Sequence, residues 1–95
     1  MKWKPEELRT SCEVVTDENG KALVCTAQLV PKNQDTPDYM VQGIQRAQVV
    51  FRKDPNGKLY TKRHVAYGDL NQVRETERVI DYMIAKYTPK AMREL

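Results

Sequence analysis

Residues 69–95 read DLNQVRETERVIDYMIAKYTPKAMREL, and the spacing of their apolar positions decides what the rest of the chain must be. Val73, Thr76, Ile80, Met83, Ile84 and Tyr87 recur three and four residues apart, so they line one face of an α-helix. Asn71, Arg74, Glu75, Arg78, Asp81 and Lys86 fall on the other side. Asp69 is placed to cap the first turn, with Gln72 three residues on, as a capping box requires. Pro89 is expected to end the helix, because a proline pushes the residue before it, Thr88, out of helical geometry. A helix with one apolar face needs a second apolar layer, and everything upstream reads as sheet.

The nearest upstream unit is a hairpin. Ala47 to Lys53 and Lys58 to Ala66 flank Asp54-Pro55-Asn56-Gly57. Proline pre-sets one position of a type I turn and Gly57 takes the left-handed one after it. Asp54 then lies opposite Lys58, Arg52 opposite Tyr60 and Val50 opposite Lys62. This register sorts the side chains by face. Ala47, Val49, Phe51, Leu59, Val65 and Tyr67 share the side the helix should cover, with Thr61 and Arg63 interrupting it. Arg46, Gln48, Val50, Arg52, Tyr60, Lys62 and His64 share the other.

That unit is the second hairpin of the chain; the first lies further upstream. Cys12 to Thr16 is rich in β-formers, Asp17-Glu18-Asn19-Gly20 is turn chemistry, and Ala22 to Val30 is a strand. That strand is apolar on both faces near its start, which places it in the middle of a sheet. The phrases VVTDENGKAL and VVFRKDPNGKLY show the same turn chemistry used twice. Cys12 and Cys25 sit directly opposite each other if the first turn is a four-residue loop, and on opposite faces if a bulged glycine offsets them. Two reduced, half-buried thiols are the expectation for a cytoplasmic chain.

The remainder is less regular. Residues 3–10 suit one helical turn that tolerates Pro5 at its start, and Trp3 packs on the edge of the core. Residues 31–38, PKNQDTPD, are a loop. From Tyr39 to Gln48 two readings compete. One is a short helix capped by Thr36, with Met40, Val41, Ile44 and Ala47 on one face. The other, preferred because Gly43 weakens a helix, is a strand from Met40 to Lys53 bent at that glycine. The expected fold is therefore α+β: an antiparallel, meander-like sheet of about four strands from two hairpins, with a long C-terminal helix packed on one face. The alternative, ββαββα, depends on residues 36–47.

Composition bounds the function. Ninety-five residues make a single domain with one modest core. No apolar run approaches the length of a membrane span, and the opening MKWKPEELRT lacks the apolar stretch of a secretory signal, so the expected location is cytoplasmic. A net charge of +3, from 16 basic and 13 acidic residues well mixed, permits an anionic partner without requiring one. Two cysteines and one histidine cannot build a four-ligand Cys/His zinc site in a monomer. His64 has no orienting carboxylate, Ser11 is the only serine, and the four glycines form no phosphate-binding loop. The expectation is a non-enzymatic protein without metal, cofactor or small-molecule substrate.

Two surfaces are candidates for binding. Arg46, Arg52, Lys62 and His64 beside the ring of Tyr60 suit an anionic partner, with cations for phosphates and a ring for stacking. Val79, Tyr82, Met83, Tyr87 and Met92 extend the helix's apolar stripe and suit a protein interface or homodimer. The reading ranked first is a protein-interaction or regulatory accessory module acting through its helix and sheet surface. The alternative is nucleic-acid binding through the basic face of the second hairpin.

Overall fold

The computed structural model describes residues 4–31, 46–66 and 73–95. Trp3, the choice between helix and strand over residues 36–45, Tyr67 and the cap at Asp69 and Gln72 lie outside them. The elements are β1 (Leu8–Asp17), β2 (Gly20–Pro31), β3 (Arg46–Lys53), β4 (Leu59–Ala66) and α1 (Val73–Glu94). The strands form one antiparallel sheet in chain order, β1-β2-β3-β4, with α1 packed on it. The fold is thus the α+β meander that the hairpins and the helical spacing imply. As its double-sided apolar start implies, β2 is a central strand.

Both turns obey local chemistry. Asp17 accepts a hydrogen bond from the Asn19 backbone N–H at 2.8 Å, and Asp54 accepts one from Asn56 at 2.9 Å and another from Lys58 at 2.8 Å. Gly20 (φ +103°) and Gly57 (φ +81°) adopt the conformation that L side chains resist. The register of the second hairpin is the expected one, with Arg52 opposite Tyr60 and Val50 opposite Lys62. The first hairpin closes without an offset, Asp17 against Gly20, so Cys12 lies directly opposite Cys25. Their Cα atoms are 4.1 Å apart and the two residues form a disulfide. This corrects the expectation of reduced thiols: the turn register, ambiguous in sequence, brings the sulfurs within bonding reach.

The core lies between the sheet and the helix. Leu23, Cys25 and Ala27 of β2 stand beside Phe51, Val49 and Ala47 of β3, all buried. From above, Val79, Ile80, Met83 and Ala91 press onto them, and Leu8 joins from β1. The Thr10 and Tyr87 hydroxyls share a 2.7 Å hydrogen bond that ties β1 to the helix. Ahead of β1, Pro5–Glu7 form a 3-10 turn. Leu8 to Thr10, expected to continue a helical turn, are extended instead, because burying Leu8 in the core needs the strand.

Pro89 does not end α1; it lies inside the helix, which runs on to Glu94. The proline removes one N–H that would reach the Ala85 carbonyl. Both Ala85 and Pro89 are exposed, so the lost bond falls on the solvent side of the helix, where its cost is smallest. Thr88 Oγ1 donates to the Ile84 carbonyl at 2.5 Å, which holds the turn before the proline. Beyond it Ala91 is buried and Leu95 packs against the core, and that burial outweighs the local preference to stop. Pro89→Ala is therefore expected to raise stability. An interior proline costs up to about 3 kcal/mol relative to alanine, and losing its restriction of the unfolded chain takes back about 1 kcal/mol. A rise in melting temperature of roughly 5–10 °C in calorimetry is the expected reading.

Candidate functional site

The face of the sheet turned away from α1 is built by period-two alternation. Three rows cross it. Glu13, Val24, Val50 and Lys62 form the first; Ser11, Thr26, Gln48 and His64 the second; Arg9, Gln28 and Arg46 the third. Val24 and Val50 are half-buried, whereas Lys62 and His64 are exposed. Gln48 Nε2 donates to Thr26 Oγ1 at 3.2 Å, fixing the middle of the second row. Tyr60 stands opposite Arg52 and is 49% exposed. On this face the described side chains of β3 and β4 include no acid; Glu13 and Asp17 both belong to β1.

The five residues expected to form an anionic-partner surface therefore lie on one face, the one opposite the helix. They are not equivalent. Arg52 grips Asp17 with its fork, Nη2 to Oδ2 at 2.9 Å and Nη1 to Oδ1 at 3.4 Å. Its charge is already matched within the chain. Residues 17 and 52 are far apart in sequence, and only the register of all three strands brings them together.

Hydrogen bonding from the Arg52 guanidinium, helped by the Asn19 N–H, holds the Asp17 carboxyl below its ordinary value of 3.8. A depressed carboxylate stabilises the fold above its unfolded-state value, and that contribution is lost as pH falls through the folded one. The Asp17 carboxyl carbon resonance is expected to titrate below the ordinary range, and to move back up in Arg52→Gln. Added salt should shrink the difference, since the pair is exposed.

Between the two hairpin turns lies an open groove of about 590 Å³, lined by Asn19, Arg52, Lys53, Asp54 and Tyr60. Lys53 Nζ donates to the Leu95 carbonyl at 3.1 Å, so it too has a partner. A smaller hollow of about 230 Å³ opens at the outer flank of β1, under the helix. Leu8 and Thr10 form its floor, and Tyr82 and Lys86 its roof. Lys86 Nζ sits 5.6 Å from the Tyr82 ring centre and 5.3 Å from that of Tyr87.

The helix surface differs from expectation. Val79 and Met83, expected at a protein interface, are fully buried in the chain's own core. The sheet beneath α1 is wide enough to take a broader apolar stripe than one hairpin face requires. Tyr82 and Tyr87 are half-buried, and Tyr87 is bonded to Thr10. Met92, 62% exposed, is the open member of that set. Arg63, which interrupts the helix-facing side of β4, reaches Asp81 of α1 at 3.0 Å. Being on an edge strand, it can bridge to the helix without burying its charge. Among the described residues no group of three or more His, Cys, Asp or Glu is placed to hold a metal ion. No helix there is long and apolar enough to cross a membrane. No family model, curated protein or solved structure matches the chain.

Proposed function

We propose that this chain is a small non-enzymatic binding module that holds an acidic protein partner on the sheet face opposite the helix. One observation carries the reading: that face has an aliphatic centre, Val24 and Val50, and a β3–β4 half whose described charges are all basic. An apolar centre with a charged rim is the anatomy of a protein interface. Arg46, Lys62 and Tyr60 supply residue types suited to its rim and anchor. Arg52 serves as a positioned neighbour of Tyr60, because Asp17 already neutralises it. The alternative, a nucleic acid, is favoured by the half-exposed Tyr60 ring beside the groove between the turns.

A nitrogen-15-labelled sample tests both. It is titrated at low salt with a Glu-rich peptide carrying Leu and Phe, and separately with an oligo-deoxythymidine. The peptide is expected to shift the amides of Val24, Val50, Tyr60 and Lys62, and Arg46→Ala/Lys62→Ala should abolish the shifts. Shifts on the oligonucleotide alone, with a steep salt dependence, select the alternative. Silence of this face to both probes defeats the proposal. The cytoplasmic location remains open to a separate test, since a disulfide persists in oxidising compartments and is reduced by cytosolic thiols. Alkylation trapping in a native extract distinguishes the two.

A further inference from the structure

We propose that β1 pairs with β1 of a second copy of this chain, antiparallel, about a two-fold axis at Ser11. This is independent of the acidic-partner reading and uses a different surface. Residues 8–14 read LRTSCEV, and laid antiparallel on themselves they bring unlike charges together at Arg9 and Glu13 and aliphatic side chains together at Leu8 and Val14, although the ladder to β2 shifts register between Leu8 and Arg9. Leu8 meets Val14 of the second copy, Arg9 meets its Glu13, Thr10 meets its Cys12, and Ser11 meets its Ser11. On the face away from the helix this gives two opposite-charge pairs. On the helix face it gives two aliphatic pairs. A strand that suits its own reverse is what an isologous interface needs.

The backbone is oriented for it. Among the described residues β1 has a neighbouring strand on one side only. Cys12 and Cys25, 4.1 Å apart at Cα, have the close spacing of a pair that exchanges no backbone hydrogen bonds. The N–H and C=O of Cys12, and by alternation those of Thr10 and Val14, therefore point to the outer side. Thr10 opposite Cys12 of the second copy is then a hydrogen-bonded pair in the new ladder. Arg9 and Glu13 of the second copy fall at a close, non-hydrogen-bonded pair, where side chains interact most strongly.

Two further observations agree. Val14 is 42% exposed, an aliphatic side chain left open on an edge strand. The 230 Å³ hollow lies at the same edge, floored by Leu8 and Thr10. In the joined sheet, Val14 of each copy stands opposite Leu8 of the other and covers that hollow. The other edge is protected: β4 carries Lys62, Arg63 and His64 in succession, the kind of charged edge that resists pairing.

Sedimentation of the full chain from about 1 µM to about 500 µM tests the proposal. A reversible monomer–dimer equilibrium is expected. Glu13→Arg sets Arg9 against a second arginine at both pairs and should weaken association by about tenfold or more. Arg9→Glu/Glu13→Arg should restore it. Val14→Pro removes an outward N–H without touching the ladder to β2, so it should be monomeric with unchanged circular dichroism. A wild-type chain that stays monomeric throughout overturns the proposal. So does a Glu13→Arg or Val14→Pro variant that associates as strongly as wild type.

Discussion

Replacing Phe51 by alanine is expected to cost about 3–5 kcal/mol, the largest effect of any single truncation among the described residues. Among the described residues Phe51 is the largest of the fully buried side chains, flanked by Leu23 on β2 and Thr61 on β4. It lies in the same buried cluster as Val79, Ile80 and Met83 of α1. Truncation leaves a void that neither a sheet ladder nor a docked helix can collapse into without losing its own hydrogen bonds or contacts. A domain of this size is stable by about 5–14 kcal/mol. The variant should therefore retain well under its full stability, with a urea midpoint lowered and an unchanged slope. A loss below about 1 kcal/mol would mean that sheet and helix are not packed as described.

Opening the Cys12–Cys25 bridge is the second large effect. The cysteines are 13 residues apart, and closing a loop of that size restricts the unfolded chain by about 3 kcal/mol. Reduction, or Cys12→Ser with Cys25→Ser, should lower the melting temperature by roughly 10–20 °C. Reduction of the wild type is the cleaner measurement, since it leaves both sulfurs in place against the core. The effect should be absent in the double variant when reductant is added. With Phe51→Ala as well, the two losses together approach the whole stability of a domain this small. That combination is expected to be largely unfolded at 37 °C.

Pro55 and Gly57 dictate one loop geometry, so every cross-strand pair of the second hairpin was legible, and with it the common face of Arg52, Tyr60 and Lys62. The helix's buried face was legible because Thr76, Ile80 and Met83 keep its period. The first hairpin was not, because Asp-Glu-Asn-Gly suits more than one loop, and the disulfide followed from that single choice. Val79 and Met83 belong to the core and not to an interface, because the helix lies over the β2–β3 centre of a four-stranded sheet that takes a wide apolar stripe. The end of the helix was misplaced for a similar reason: local proline chemistry was outweighed by burial of Ala91. The Asp17–Arg52 and Arg63–Asp81 pairs join distant segments and leave no local trace.

Because each described strand neighbours the described strand made just before it, the sheet can zip up progressively as the chain leaves the ribosome, at about 5–20 residues per second. The helix that covers it is translated only after β4. Until the helix emerges, Leu23, Val49 and Phe51, which it covers in the folded chain, are expected to form an apolar surface without it. Nascent chains stalled with residues 1–66 outside the ribosome and residues 73–95 still inside it should consequently be captured by general chaperones or precipitate, and chains stalled with residue 95 outside should not.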